Sequence, residues 1–197
     1  PQGWQYKAFK DISKSSVKQL AALLRSESAV QRLAAQQELL KRPAKDAAKA
    51  AWGVAEDKKA PLYVRVAGMY TYAQAAGAES IANLAKLASE SDMREYALRA
   101  LADRKPFVAK VPVEPFLNAL ENGNAREKLA AAIGLGRLGR PEGAQALLKV
   151  KVPGSFVAPA KGTEGPHATP NSAIVTPHIA VRALVALNAV DACVNAI

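Results

Sequence analysis

The chain has 197 residues, half of them apolar, a formal charge of +10 and a single cysteine. One cysteine excludes an intrachain disulfide framework and a Cys-rich metal motif, and no run of 18 apolar residues exists to make a membrane span. Aromatics are only 6% while alanine abounds, and small residues of high helix propensity favour an all-helical chain.

The chain opens with PQGWQYKAFKDIS, where Trp4, Tyr6 and Ala8 alternate with Gln5 and Lys7. That period of two reads as an extended arm over residues 1–14, either packed on the first helical repeat or trailing from a preceding β domain. From residue 15 the periodicity changes to that of amphipathic helices. SVKQLAALLRSE (16–27), AKDAAKAAWGVAED (44–57), AESIANLAKLASE (78–90), VEPFLNALENG (113–123) and EGAQALLKV (142–150) each read as a first helix. Each is followed by a second helix that begins near a shared anchor position.

The anchors are Arg32, Arg65, Arg94, Arg126 and His178, spaced by 33, 29, 32 and 52 residues. Three residues on stand Ala35, Gly68, Ala97, Leu129 and Val181. Seven on stand Leu39, Tyr72, Leu101, Ile133 and Val185. Ser28, Ser91 and Asn124 sit where N-caps belong, Pro61 and Pro177 suit first turns, and Gly77 and Gly123 suit helix ends. A helix pair of ~30 residues cannot bury its apolar face alone and stacks on its neighbours. The expected fold is therefore all-α: an α-solenoid of about five short HEAT-like repeats over 15–197, of the armadillo-like superhelical class. The anchors are expected to be structural, bonding nearby loop carbonyls or acids. The tail DACVNAI (191–197) reads as the start of a sixth first helix, and Pro1 in place of Met suggests a piece of a longer chain.

Residues 151–176, KVPGSFVAPAKGTEGPHATPNSAIVT, interrupt the fifth pair and have no helical pattern. Long loops in compact domains are often functional, and solenoid insertions gather on one face, often the binding face. Arg137, Arg140, Lys149, Lys151, Lys161 and His167 are the candidate binding residues of this basic region, beside the alternative that the loop only covers the end of the helical stack.

Catalytic chemistry is not legible. His167, His178 and Cys193 do not supply a zinc set at motif spacing, no nucleophile-elbow pattern surrounds a serine or cysteine, and Glu56–Asp57 sits beside Lys58–Lys59 as a solvated pair. GLGRLG (134–139) lacks the preceding strand that a phosphate loop requires. No metal and no cofactor is expected of this chain.

SVKQLAALLRSESAVQRLAAQQELLKR, REYALRALADR and PHIAVRALVALNAVDAC together resemble the HEAT-like segment of large secreted proteins of the Planctomycetes–Verrucomicrobia group, described as membrane-bound dehydrogenases or haem-binding proteins. The resemblance spans about residues 14–197. It implies a periplasmic or secreted redox protein in which a sorbosone-dehydrogenase-like β-propeller precedes the repeats and a cytochrome c-like module with CxxCH often follows. Neither motif stands in this sequence, so the resemblance carries over no catalytic residue.

The expected function is thus non-catalytic: an interaction scaffold that docks a protein partner or the adjacent domains of a longer chain. Nucleic-acid binding, in the manner of the HEAT-like DNA glycosylases, is the alternative that the charge of +10 motivates. Against it, the basic residues are scattered, and Trp52, Tyr63, Tyr70 and Tyr72 fall mostly at core-type positions rather than on an exposed stacking platform. A third reading, by resemblance to phycobilisome-lyase HEAT-like units, is a groove for a tetrapyrrole.

Overall fold

The computed structural model describes residues 10–157 and 173–197. Most of the extended arm and the middle of the 151–176 insertion, with Lys161 and His167, lie outside the described residues. Among those described there are helices and no strands. The chain divides at Gly77 into two compact units, 1–77 and 78–197.

The first unit holds two helix pairs: α1 (Val17–Leu23), α2 (Ala29–Leu39), α3 (Ala44–Ala55) and α4 (Leu62–Ala76). Ser16 starts α1 with a reciprocal cap, its hydroxyl accepting from the Gln19 N–H while Gln19 accepts from the Ser16 N–H. Ser28 caps α2 by accepting from the Gln31 N–H. Leu20, Leu24, Ala35, Leu39, Val54 and Val64 form one buried cluster. The i, i+4 spacing of Leu20–Leu24 and Ala35–Leu39 is what places each pair on the inner face. α3 and α4 pack closely because position 68 is glycine. A Cβ there would stand 2.8 Å from the Ala55 nitrogen and 2.9 Å from the Ala51 carbonyl oxygen. Pro61 proves to be the residue before α4 rather than its first turn, and Gly77 ends that helix at φ 57°, a conformation open to glycine and costly for most side chains.

The α3–α4 connection carries a charge-assisted clamp. Arg25 donates to Asp57 Oδ2 at 2.7 Å, and Asp57 Oδ1 accepts from the Lys59 N–H at 3.1 Å. The Arg25 guanidinium, and then that N–H, hold the Asp57 carboxyl below its ordinary value of 3.8. A depressed carboxylate stabilises the fold above its ordinary value, and that contribution disappears as pH falls through the lower, folded value. Asp57→Asn is therefore expected to lose less stability than the wild type on acidification from about pH 5 to about pH 2. Thermal melts across that range check this, and identical pH slopes would refute it.

The second unit comprises α5 (Ile81–Leu87), α6 (Arg94–Ala102), α7 (Glu114–Asn122), α8 (Ala125–Leu138), α9 (Ala144–Leu148), α10 (Val175–Ala186) and α11 (Val190–Val194). Its centre is α8, which packs against α6, α7 and α10. A helix covered on several sides needs small residues, and α8 supplies Ala130, Ala131, Ala132 and Gly134, all buried. Phe116 of α7 is fully buried, with ring carbons 2.2 and 2.4 Å from where a Cβ on Gly134 would stand. A Cβ on Gly136 would meet Ala183 of α10 at 3.0 Å. GLGRLG is thus part of a helix, and its first two glycines admit neighbouring helices. Asn124 caps α8 with a reciprocal box to Glu127, and Gly139 ends it in the left-handed region at φ 67°. Ser91, in contrast, is not a cap. Met93 precedes α6, and Glu90 O accepts from the Met93 and Arg94 N–H groups instead.

Candidate functional site

The four anchor arginines make different contacts. Arg32 donates to the Ser26 and Glu27 carbonyls at 2.8 and 2.9 Å and lies over the Tyr63 ring, 4.5 Å from its centre. Arg94 repeats the first pattern, donating to the Ala88 carbonyl at 3.0 Å and the Ser89 carbonyl at 3.5 Å. Arg65 is 3% exposed and donates from Nε to the Ala55 carbonyl at the end of α3. Arg126 reaches no loop carbonyl and grips Glu95 with two bonds of 2.8 and 2.9 Å. That carboxylate pushes the Arg126 guanidinium above its ordinary value. His178 differs from all four, for it is exposed, and among the described residues its imidazole has no hydrogen-bond partner. The buried positions of α10 are Ala180 and Ala183, while Val181 and Val185 are 61% and 76% exposed. The frame counted from His178 is therefore out of register with the inner face of its helix.

The first turns of α6 and α8 are tied reciprocally. Arg94 pairs with Glu127 at 3.4 Å while Arg126 pairs with Glu95, which also takes Arg99 at 2.7 Å. Both helices carry an Arg-Glu dipeptide in the first turn, at the first position of α6 and the second of α8, so one sequence feature supplies both halves of the exchange. Glu95 and Glu127 are buried, and their charge is acceptable there only because each is paired and hydrogen-bonded.

The basic candidates separate into two places. Lys149 and Lys151 line a cleft of about 680 Å³ in the second unit, bounded by α7, α8, α9 and the start of α10. Arg137 and Arg140 do not line it. Arg137 faces Asp103 at 3.6 Å, both side chains more than half exposed, and Arg140 donates to the Ala109 carbonyl at 2.7 Å. Sequence reasoning missed Lys128, Glu121 and Glu142, which also border the cleft, and its apolar wall of Leu117, Leu120, Val150 and Pro177. Lys128 stands two residues after an anchor, and Leu117, Leu120 and Glu121 share one face of α7. That spacing was the only available signal.

The cleft is an apolar strip bordered by three lysines and two glutamates, a surface suited to a chain that offers both side-chain and backbone contacts. Among the described residues no three His, Cys, Asp or Glu side chains converge as a metal set, and no helix is long and apolar enough to cross a membrane. A second hollow of about 430 Å³ in the first unit is lined by Lys10, Asp11, Ile12, Gln19, Leu23 and Gln31, among others. Its one carboxylate, Asp11, is engaged by the Ser13 N–H at 2.9 Å. No protein-family model matches the sequence, and no curated protein matches it.

Proposed function

We propose that this chain is a non-catalytic docking scaffold built of short HEAT-like helical repeats, and that the cleft of the second unit receives an acidic, partly aliphatic segment of a protein partner or of an adjacent domain. The observation that carries the reading is the composition of the cleft. Lys128, Lys149 and Lys151 flank an apolar wall, with Glu121 and Glu142 among them. Lysines at the edge steer an acidic segment in, and the apolar strip holds its aliphatic side chains. Interspersed glutamates select against a uniform polyanion, which favours a peptide over nucleic acid. The exchange between Arg94–Glu95 and Arg126–Glu127 supports the repeat reading, since it joins equivalent turns of successive helix pairs. In a secreted redox protein of the kind the sequence resembles, such a module would hold neighbouring domains, and any dehydrogenase or haem chemistry would reside in those domains.

The test is fluorescence anisotropy with labelled peptides in which Asp or Glu alternates with Leu, beside a labelled DNA duplex. The peptide is expected to bind and Lys149→Glu/Lys151→Glu to weaken it by about tenfold or more, the scale of ~1.4 kcal/mol or above for a desolvated charge pair. Tight, strongly salt-dependent binding of duplex with no peptide binding would instead select the nucleic-acid reading.

A further inference from the structure

The first unit holds most of the charge. Residues 1–77 carry 13 lysines and arginines against 6 aspartates and glutamates, a net of +7, while residues 78–197 carry 14 against 11, a net of +3. The four arginines of the first unit are engaged within it. Arg25 holds Asp57, Arg32 two loop carbonyls, Arg42 Glu38 and the Ser13 carbonyl, and Arg65 the Ala55 carbonyl. Lys41 pairs with Glu38. Among the described residues, Lys14, Lys18, Lys45 and Lys49 are exposed and form no ion pair.

Two of the arginines show how these lysines come together. Arg42, just before α3, donates to the Ser13 and Ser15 carbonyls ahead of α1 at 2.5 and 3.2 Å. Arg25, just after α1, donates to Asp57 beyond α3 and to the Gly53 carbonyl in its last turn at 3.4 Å. The two starts lie together and so do the two ends, so α1 and α3 pack side by side and parallel. Their inner faces meet in one core of Leu20, Leu24 and Val54. Each lysine on these helices stands two residues, hence 200°, from a fully buried one: Lys18 from Leu20, Lys45 from Ala47, Lys49 from Ala51. Lys18, Lys45 and Lys49 therefore share the outer face of the pair, with Lys14 at its leading end. Asp46 borders that face and Glu56 closes its far end.

Gly53 continues the stripe one turn after Lys49. It is exposed, and a Cβ there would meet nothing within 4 Å. No packing within this chain calls for a glycine that costs a helix roughly 1 kcal/mol, and bare backbone beside lysines is open to close approach by a ligand. The outer face is charged or small, with no large apolar side chain between its lysines. Protein interfaces deplete lysine and have an apolar centre, and stable membrane attachment takes an apolar or lipid anchor besides basic residues. Nucleic-acid interfaces are polar and strongly positive. We propose that the α1–α3 face of the first unit binds the phosphate backbone of duplex DNA without reading its sequence, through Lys14, Lys18, Lys45 and Lys49. The basic residues are scattered along the chain, and the parallel packing of α1 on α3 gathers these four. This site is separate from the cleft of the second unit and does not rest on it.

Anisotropy of a labelled DNA duplex, titrated with the full chain between about 50 and about 200 mM salt, tests this. Four lysines on phosphates give a slope of log K against log salt of about −3 to −4. Lys45→Gln/Lys49→Gln is expected to bring the slope to about −2, at about 0.9 per lysine, with an unchanged circular dichroism spectrum because both side chains are exposed. Lys149→Gln/Lys151→Gln, in the cleft of the second unit, is expected to keep the wild-type slope. Duplexes of unrelated sequence are expected to bind alike. Absence of salt-dependent binding, or an equal loss of slope in the two variants, overturns the proposal. So does binding to phosphatidylserine vesicles that excess duplex fails to displace, which would give the face to a membrane. The peptide assay reads the cleft alone, so failure here and failure there are distinguishable.

Discussion

Gly134→Ala is expected to destabilise the protein, although replacing a helical glycine by alanine ordinarily stabilises by up to ~1 kcal/mol. The reason is Phe116. Its ring carbons lie 2.2 and 2.4 Å from the new Cβ, and the ring is fully buried, so it cannot swing into solvent. Overpacking of this kind costs roughly 1–3 kcal/mol, and with rigid ring carbons this close the cost lies at the upper end, so that after the propensity gain a net loss of about 2 kcal/mol is expected. Phe116→Ala alone is expected to cost roughly 3–5 kcal/mol through lost burial and the cavity that remains. The two changes should not add. With the ring gone, Gly134→Ala is expected to be neutral or stabilising, because only its propensity effect survives. Urea denaturation of the four proteins measures the coupling. Strict additivity would mean that the ring and glycine do not meet.

The second large effect separates the anchors. Arg65→Met is expected to lower stability by roughly 2–3 kcal/mol, since it strands a buried carbonyl and removes a cation from the C-terminal end of a helix. Arg65 is 3% exposed, and Ala55 O at the end of α3 accepts from its Nε at 3.0 Å. Arg126→Met removes a pair held by two charge-assisted bonds but should leave the urea midpoint near that of the wild type. Its side chain is 46% exposed, and Glu95 keeps Arg99 as a partner, so solvent screens most of what is lost. Equal shifts for the two variants would show that burial does not set the energy of an anchor, or that the exposed pair is far stronger than screening allows.

Helix positions were legible because each depends on local signals. The Leu20–Leu24 and Ala35–Leu39 spacings, the Asn124 cap and the Gly77 and Gly123 stops sit on the chain where the elements begin and end. The frame set by His178 fails because α10 buries alanines and exposes valines. Apolarity alone cannot distinguish an inner Ala180 from an outer Val181 when the helix is apolar on both faces. Ser91 fails as a cap because Glu90, one residue earlier, supplies its carbonyl to the first turn of α6. The candidate site was half legible. Lys149 and Lys151 follow α9 directly and stay with the cleft, whereas Arg137 and Arg140 sit at the other end of α8 and are drawn to Asp103 and Ala109. Lys128 and Glu121 became neighbours only through the packing of α7 on α8, which no short-range pattern encodes.

The docking claim is tested most directly by titrating isotopically labelled protein with an acidic–aliphatic peptide and following backbone amide resonances. Saturable shifts are expected at Leu120, Lys128, Lys149, Lys151 and Thr176, which border the cleft, and are expected to be lost in Lys149→Glu/Lys151→Glu. Shifts that leave these amides still while moving lysines across both units would contradict it, and would mean that the basic surface binds acidic chains without a site.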